Sequence, residues 1–181
     1  MNLLGIAGSL RAGSFNASLI RAAAAAAPES ASVTPFDRLG EIPPYNDDEK
    51  QRAIPDAVAT LAEHIRAADG LLISTPEYNY GVSGVLKNAI DWISRVPDQP
   101  FKNKPIGVMG AAMGGLGTAR AQYDLRRSFI FLDGLVMNRP EIFVGAAHTK
   151  FDEHGALTDT PTREILTDYM KAFGAWIERV G

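Results

Sequence analysis

The chain has 181 residues, enough for one domain with a substantial core and short for two. Its composition, 46% hydrophobic and 22% charged with a net charge of −3, is that of a globular protein and argues against a nucleic-acid surface. It has no cysteine, which excludes disulfides, thiol catalysis and cysteine-held iron–sulfur clusters.

Residues Met1 to Ala7 carry neither the basic region nor the long apolar stretch of a signal peptide, and no apolar run is long enough to cross a bilayer. A cytoplasmic location without membrane contact is the expectation. Leu3-Leu4-Gly5-Ile6 reads as a first strand. The loop GSLRAGSFN, residues 8–16, follows it. A helix then runs from about Phe15 to Ala27 and is ended by Pro28; its alanine run is strong helix former rather than low complexity. Val33 to Phe36 reads as a second strand, followed by a long polar connection from Asp37 to Pro55. Val58, Leu61 and Ile65 share one face of a second helix, which meets a stop at Asp69-Gly70.

Leu71-Leu72-Ile73 reads as a third strand, and Leu86, Ile90 and Ile93 mark a third helix. Ile106 to Met109 is a fourth strand, Thr118 to Leu132 a fourth helix and Ile142 to Val144 a fifth strand. A second polar connection, Gly145 to Asp159, leads to a last helix with Thr160 as N-cap and Pro161 at its first position. That helix is expected to bury Ile165, Tyr169, Phe173, Trp176 and Val180. Most of the strands are continuously apolar, as strands covered on both faces are. Five strands alternating with five helices imply an α/β three-layer sandwich with a parallel sheet in the order 2-1-3-4-5, spanning residues 1–181 as one domain. Polar connections as long as the two named are usually functional or at an interface.

A glycine-rich loop between a strand and a helix is the geometry of an anion site, because helix N-termini present unpaired N–H groups. Ser9 and Ser14 add hydroxyls and Arg11 adds charge. Gly8 and Gly13 have the spacing of a nucleotide P-loop, yet Ser14 and Phe15 stand where lysine and Ser/Thr belong. Gly5, Gly8 and Gly13 do not fit the dinucleotide fingerprint either. A single terminal phosphate on a smaller ligand remains, which fits FMN. Two further loops leave strand ends on the same side: Thr75-Pro76-Glu77-Tyr78-Asn79-Tyr80-Gly81 and Ala111-Ala112-Met113-Gly114-Gly115-Leu116-Gly117. Their tyrosines offer flat apolar surface, Asn79 an amide for a uracil-like edge, and the glycines close backbone approach to a ring.

Taken together, GSLRAGSFN, TPEYN, LKNAIDW and GGLGTARAQ appear in an order that resembles the NADPH-dependent FMN reductase family, a flavodoxin-like group that includes bacterial quinone and chromate reductases. The resemblance covers most of the chain. It implies that Ser9, Arg11, Ser14, Phe15 and Asn16 wrap the FMN phosphate and ribityl chain, and that Pro76, Glu77, Tyr78 and Asn79 line the isoalloxazine. Ala112 and Gly114 belong to the third cofactor loop, with Ala112 where relatives often carry serine. The resemblance further implies hydride passed from NADPH or NADH through flavin N5 to a quinone, or to chromate, azo or nitro compounds, in a homodimer or homotetramer. The Asp37–Pro55 connection and the helix holding Trp92 are then candidate interface segments. No side chain is expected to do the chemistry, and His64, His148 and His154 lack metal-ligand spacing. Lys87 and Asp91 read as an i,i+4 ion pair, and Arg120, Arg126 and Arg127 as cations for NADPH phosphates, a neighbouring subunit or solvent. The rival readings are a flavodoxin-type electron carrier and a flavin-binding regulatory protein without turnover.

Overall fold

Every apolar run read as a strand enters one parallel sheet. The computed structural model describes residues 1–181. Its strands are β1 (Asn2–Ala7), β2 (Ser32–Phe36), β3 (Gly70–Ser74), β4 (Glu77–Tyr78), β5 (Gly81–Val82), β6 (Pro105–Ala111), β7 (Leu135–Val136) and β8 (Ile142–Val144). Its helices are α1 (Phe15–Ala26), α2 (Asp47–Arg52), α3 (Asp56–Ala67), α4 (Gly84–Ile93), α5 (Ala119–Phe131) and α6 (Thr160–Val180). The sheet order is β2-β1-β3-β6, with β7 and β8 both pairing parallel to the outer edge of β6. The expected order therefore holds, but the fifth strand is split. β7 covers the first half of β6 and β8 the second, because residues 137–141 leave the sheet between them.

Alternation along the strands divides the core into two layers. Leu4, Ile6, Leu71, Ile73, Ile106 and Val108 face α3, α4 and α5, where Ile65, Trp92 and Phe129 fill the space. Leu3, Leu72 and Met109 face α1 and α6, meeting Leu19, Ile20, Tyr169 and Phe173. Tyr169 is fully enclosed; its hydroxyl donates to Val108 O at 3.0 Å, and burial raises its pKa.

Four expectations are corrected by the packing. The N-cap of α6 is Asp159, whose carboxylate accepts from the Thr162 N–H at 3.0 Å, and Thr160 is the first helical residue. The buried stripe of α6 is Leu166, Tyr169, Met170, Phe173 and Ile177, while Ile165 is 54% exposed and Trp176 and Val180 are half-buried. Ile165 and Leu166 are adjacent, so apolar spacing alone left the phase of the helix open by one residue. The Asp37–Pro55 connection contains a 3-10 turn at Leu39–Glu41 and the short α2, capped by Asn46. Gly70 is not a helix stop but the first residue of β3, where an added Cβ would lie 2.9 Å from Ile177 Cδ1.

Trp92 is fully buried, not presented at a surface. Its indole N–H donates to Pro43 O at 2.8 Å, and the Tyr45 ring meets it edge-on at 5.0 Å. Asn88 adds a bond to Pro43 O at 2.9 Å and accepts from the Tyr45 N–H at 2.7 Å. The long connection is thus fastened to α4 of its own chain. Lys87 and Asp91 form the expected i,i+4 pair, at 2.6 Å.

Candidate active site

The C-terminal ends of β1, β3 and β6 lie side by side, which brings the three loops together. The first loop is fixed at its base: the Gly8 N–H donates to Ser74 O at 2.8 Å, and Ser83 Oγ donates to Gly8 O at 2.6 Å. A Cβ at Gly8 would meet Leu86 and Pro76 at 3.0 Å, so glycine permits this approach of the first and second loops. Ser14 then caps α1, its hydroxyl oxygen accepting from the Ala17 N–H at 3.3 Å while its O–H remains free to donate. The N–H groups of Ala12, Gly13, Phe15 and Asn16 have no acceptor within the chain. The Arg11 guanidinium lies 5.4 Å from the centre of the Phe15 ring.

Asn16 has a different role from its neighbours. Its Oδ1 accepts from Ser74 Oγ at 2.9 Å and from the Ala111 N–H at 3.0 Å, and its Nδ2 donates to Ala111 O at 3.0 Å. This buried amide bolts the N-terminus of α1 to the ends of β3 and β6. Its backbone N–H, not its side chain, is left to face a ligand.

The second loop is a small hairpin, β4–β5, turned by Asn79 and Tyr80 at φ 50° and 69°. Glu77 sits at its base, with its side chain 12% exposed. Its carboxylate accepts from the N–H groups of Arg120 and Ala121 at 3.0 and 3.2 Å and from Arg120 Nη1 at 3.0 Å. Thr118, at the N-cap position of α5, is in the left-handed region and makes no side-chain cap. Glu77 therefore caps α5 from outside. Arg120 also stacks over Tyr80, 3.8 Å from the ring centre. The other two arginines are engaged locally: Arg126 donates to Met137 O at 2.8 Å and Arg127 pairs with Asp124 at 3.1 Å.

The third loop is held from below. The Ala112 N–H donates to Val144 O at 3.0 Å and the Ala147 N–H to Ala112 O at 3.0 Å. Gly117 is at φ +54°, and a Cβ there would lie 2.4 Å from the Phe143 carbonyl carbon. The N–H groups of Met113, Gly114 and Gly115 have no acceptor within the chain.

These loops enclose a cleft of about 390 Å³. It is lined by Ser9, Arg11, Ser14, Phe15, Asn16, Pro76, Glu77, Tyr78 and Ala112 of the sequence-predicted residues. Asn79, at the hairpin apex, and Gly114, one residue past Met113, lie outside that lining. Ala111 and Met113, from the expected third loop, complete it with His148, which was not expected. His148 arrives on a short 3-10 turn, Ala147–Thr149, inside the second long connection. The length of that connection was the only sequence signal for it.

The family model for NADPH-dependent FMN reductases matches residues 1–149, which contain all three loops. The chain belongs to the NADPH-dependent FMN reductase family. An NAD(P)H-dependent FMN reductase of Pseudomonas aeruginosa is 46% identical over 180 residues, covering 99% of this chain and 97% of that protein. A quinone reductase of Escherichia coli K12 is 45% identical, covering 99% and 97%. Among solved structures, the FerB flavoenzyme NAD(P)H:(acceptor) oxidoreductase of Paracoccus denitrificans superposes with a TM-score of 0.90 at 33% identity, covering 99% of this chain and 98% of that one. As a member of this family the chain has the flavodoxin-like fold, and α6 lies beyond the residues that the family model matches.

Proposed function

We propose that this protein is an NAD(P)H-dependent FMN-containing quinone reductase whose flavin occupies the three-loop cleft. One observation carries the reading. Arg11, Ser14, Phe15 and Asn16, with an unengaged guanidinium, a free O–H and two unclaimed N–H groups, line one cleft, and the unclaimed Ala12 and Gly13 N–H groups lie in the same loop. Met113 of the third loop lines the same cleft, and its N–H is likewise unclaimed. The first set suits a phosphate dianion, because the donors are preorganised at a helix N-terminus and a cation stands beside them. The second suits the polar edge of a ring system, and Pro76, Tyr78 and Met113 give the flat apolar wall such a ring needs. The relatives named as FMN and quinone reductases support the same assignment.

An FMN held by Ser9, Arg11, Ser14, Phe15 and the N–H of Asn16 would supply the two-electron chemistry between a nicotinamide and a quinone. The chain's own contribution is binding, orientation and exclusion. The first loop holds the phosphate. Glu77, fixed by α5 and Arg120, keeps the hairpin at a set height over the cleft. Asn16 holds the start of α1 against the ends of β3 and β6. No side chain in the cleft forms an acid–base pair, which suits tolerance of several small oxidants. Residues 1–181 form the one cofactor-binding domain in this reading. The protein works as a cytoplasmic homo-oligomer, a state favoured by Ile130 and Phe131 on α5, 77% and 85% exposed.

The test is a visible spectrum with added FMN, followed by NADPH without oxygen and then a quinone. Flavin that binds, bleaches and recovers is the expected result. Flavin that binds and stays yellow would make the protein a carrier or a regulator, and no binding would remove the cofactor assignment.

A further inference from the structure

A second cleft, of about 470 Å³, lies between α1, the start of α6 and the hairpin closed by the Phe151–Leu157 bridge. It shares no lining residue with the flavin cleft. Its apolar part comes from Ala22, Ala25, Ala26, Leu157 and Leu166, whose small or recessed side chains leave a slot rather than a plug. Its polar part carries two cations, Arg21 and Arg163, beside Ser18, His154 and Thr167, and no acidic side chain lines it.

The two arginines are held by neutral partners and make no ion pair of their own. Arg21 Nη2 donates to Ser18 Oγ at 2.8 Å. The hairpin presses on this pair at Gly155, where φ is +77° and a Cβ would lie 2.6 Å from Ser18 Oγ and 2.8 Å from Arg21 Nη2. Arg163 Nη2 donates to Thr158 O at 3.1 Å and Thr160 Oγ1 at 3.2 Å. Neither arginine takes part in any of the chain's ion pairs, which engage Arg38, Arg52, Arg120 and Arg127 instead. Asp159 accepts from Thr162 and feels the charge of Arg163 without pairing with it, and Glu153 pairs with His154 at 3.5 Å. A guanidinium has five donors, so each arginine keeps most of its own for a guest.

We propose that this cleft is a binding site for a small organic anion, a carboxylate carried on a flat apolar body. The two guanidiniums take the carboxylate and the alanine-lined slot takes the body. The volume lies within the range of small-molecule sites. The inference rests on no part of the flavin assignment.

The test is calorimetric titration of the FMN-loaded protein with 2-naphthoate and, in parallel, with uncharged 2-naphthol. Naphthoate is expected to bind, with naphthol at least about tenfold weaker, because the charge-assisted bonds are absent from it. The Arg21→Gln/Arg163→Gln double variant is expected to weaken naphthoate at least about tenfold with FMN content unchanged. Ala25→Trp, which places a large ring over the slot from the exposed side of α1, is expected to abolish binding by occlusion. The visible flavin spectrum is expected to stay unaltered by naphthoate. No binding up to about 5 mM would overturn the proposal. So would equal affinity for naphthol, unchanged affinity in both variants, or a flavin spectrum that shifts in step with the heat.

Discussion

Replacing Asn16 with alanine separates a strut from a ligand. The substitution removes three hydrogen bonds, two from Ser74 and Ala111 to the amide oxygen and one from the amide nitrogen to Ala111 O. Each contributes about 1 kcal/mol net, and the stranded Ala111 N–H and C=O, both buried, raise the cost further. The expected loss is about 3–4 kcal/mol, a large part of the roughly 5–15 kcal/mol that holds a domain together. Ser74→Ala breaks only one of the three bonds and is expected to cost about 1 kcal/mol. Urea unfolding of the flavin-free protein, followed by circular dichroism, measures both, with the denaturant slope unchanged. The reasoning fails if Asn16→Ala costs less than about 1 kcal/mol without flavin, or no more than Ser74→Ala. Either result would make Asn16 a residue that matters only to the ligand.

The other predictions probe the loops and the last helix. Ser14→Asp keeps a good N-cap but sets a carboxylate against the phosphate, so thermal stability should hold while FMN affinity falls at least about tenfold, read by quenching of flavin fluorescence. Gly117→Ala should cost more than about 2 kcal/mol in urea unfolding, since φ is +54° and the Phe143 carbonyl carbon is 2.4 Å away. Gly114→Ala, with nothing within 4 Å of the new methyl, should stay within about 0.5 kcal/mol. Asp159 has its pKa held below the ordinary value of 3.8 by bonds from the Thr162 hydroxyl and N–H, then by the charges of Lys150 and Arg163. A depressed folded-state pKa means stability that is present above the unfolded value and lost as pH falls through the folded one. Asp159→Ala should therefore lower the melting temperature at neutral pH, and the gap from the native protein should close below pH 3.8. A gap that is constant with pH would remove the carboxylate from the account.

The sequence by itself determined the five main strands, the five main helices and the fold class. Continuous apolar runs such as Leu71-Leu72-Ile73 can only be covered on both faces, and the alternation of strand and helix then leaves the parallel sheet. It also showed a glycine-rich loop, with Gly8, Ser9, Gly13 and Ser14 between a strand and a helix, where the phosphate cradle is proposed. Nine of the eleven residues singled out for the cofactor line one cleft, since strand ends and the loops that leave them are local features. What distance in the chain hides was decided by the tertiary structure. Asn16 lies 95 residues from Ala111, and only the sheet puts its amide there. Glu77 looked like a ring-lining acid, and the position of α5 made it a helix cap. Trp92 was directed inward by Pro43, a partner 49 residues away. His148 reached the cleft on a loop whose local sequence holds no period to read. The phase of α6 was set when the sheet accepted Leu166 in place of Ile165, a choice between adjacent apolar residues that hydrophobic spacing does not make. Local chemistry specifies elements and cradles; hydrogen bonds and packing between residues far apart in the chain exist only once the layers have closed.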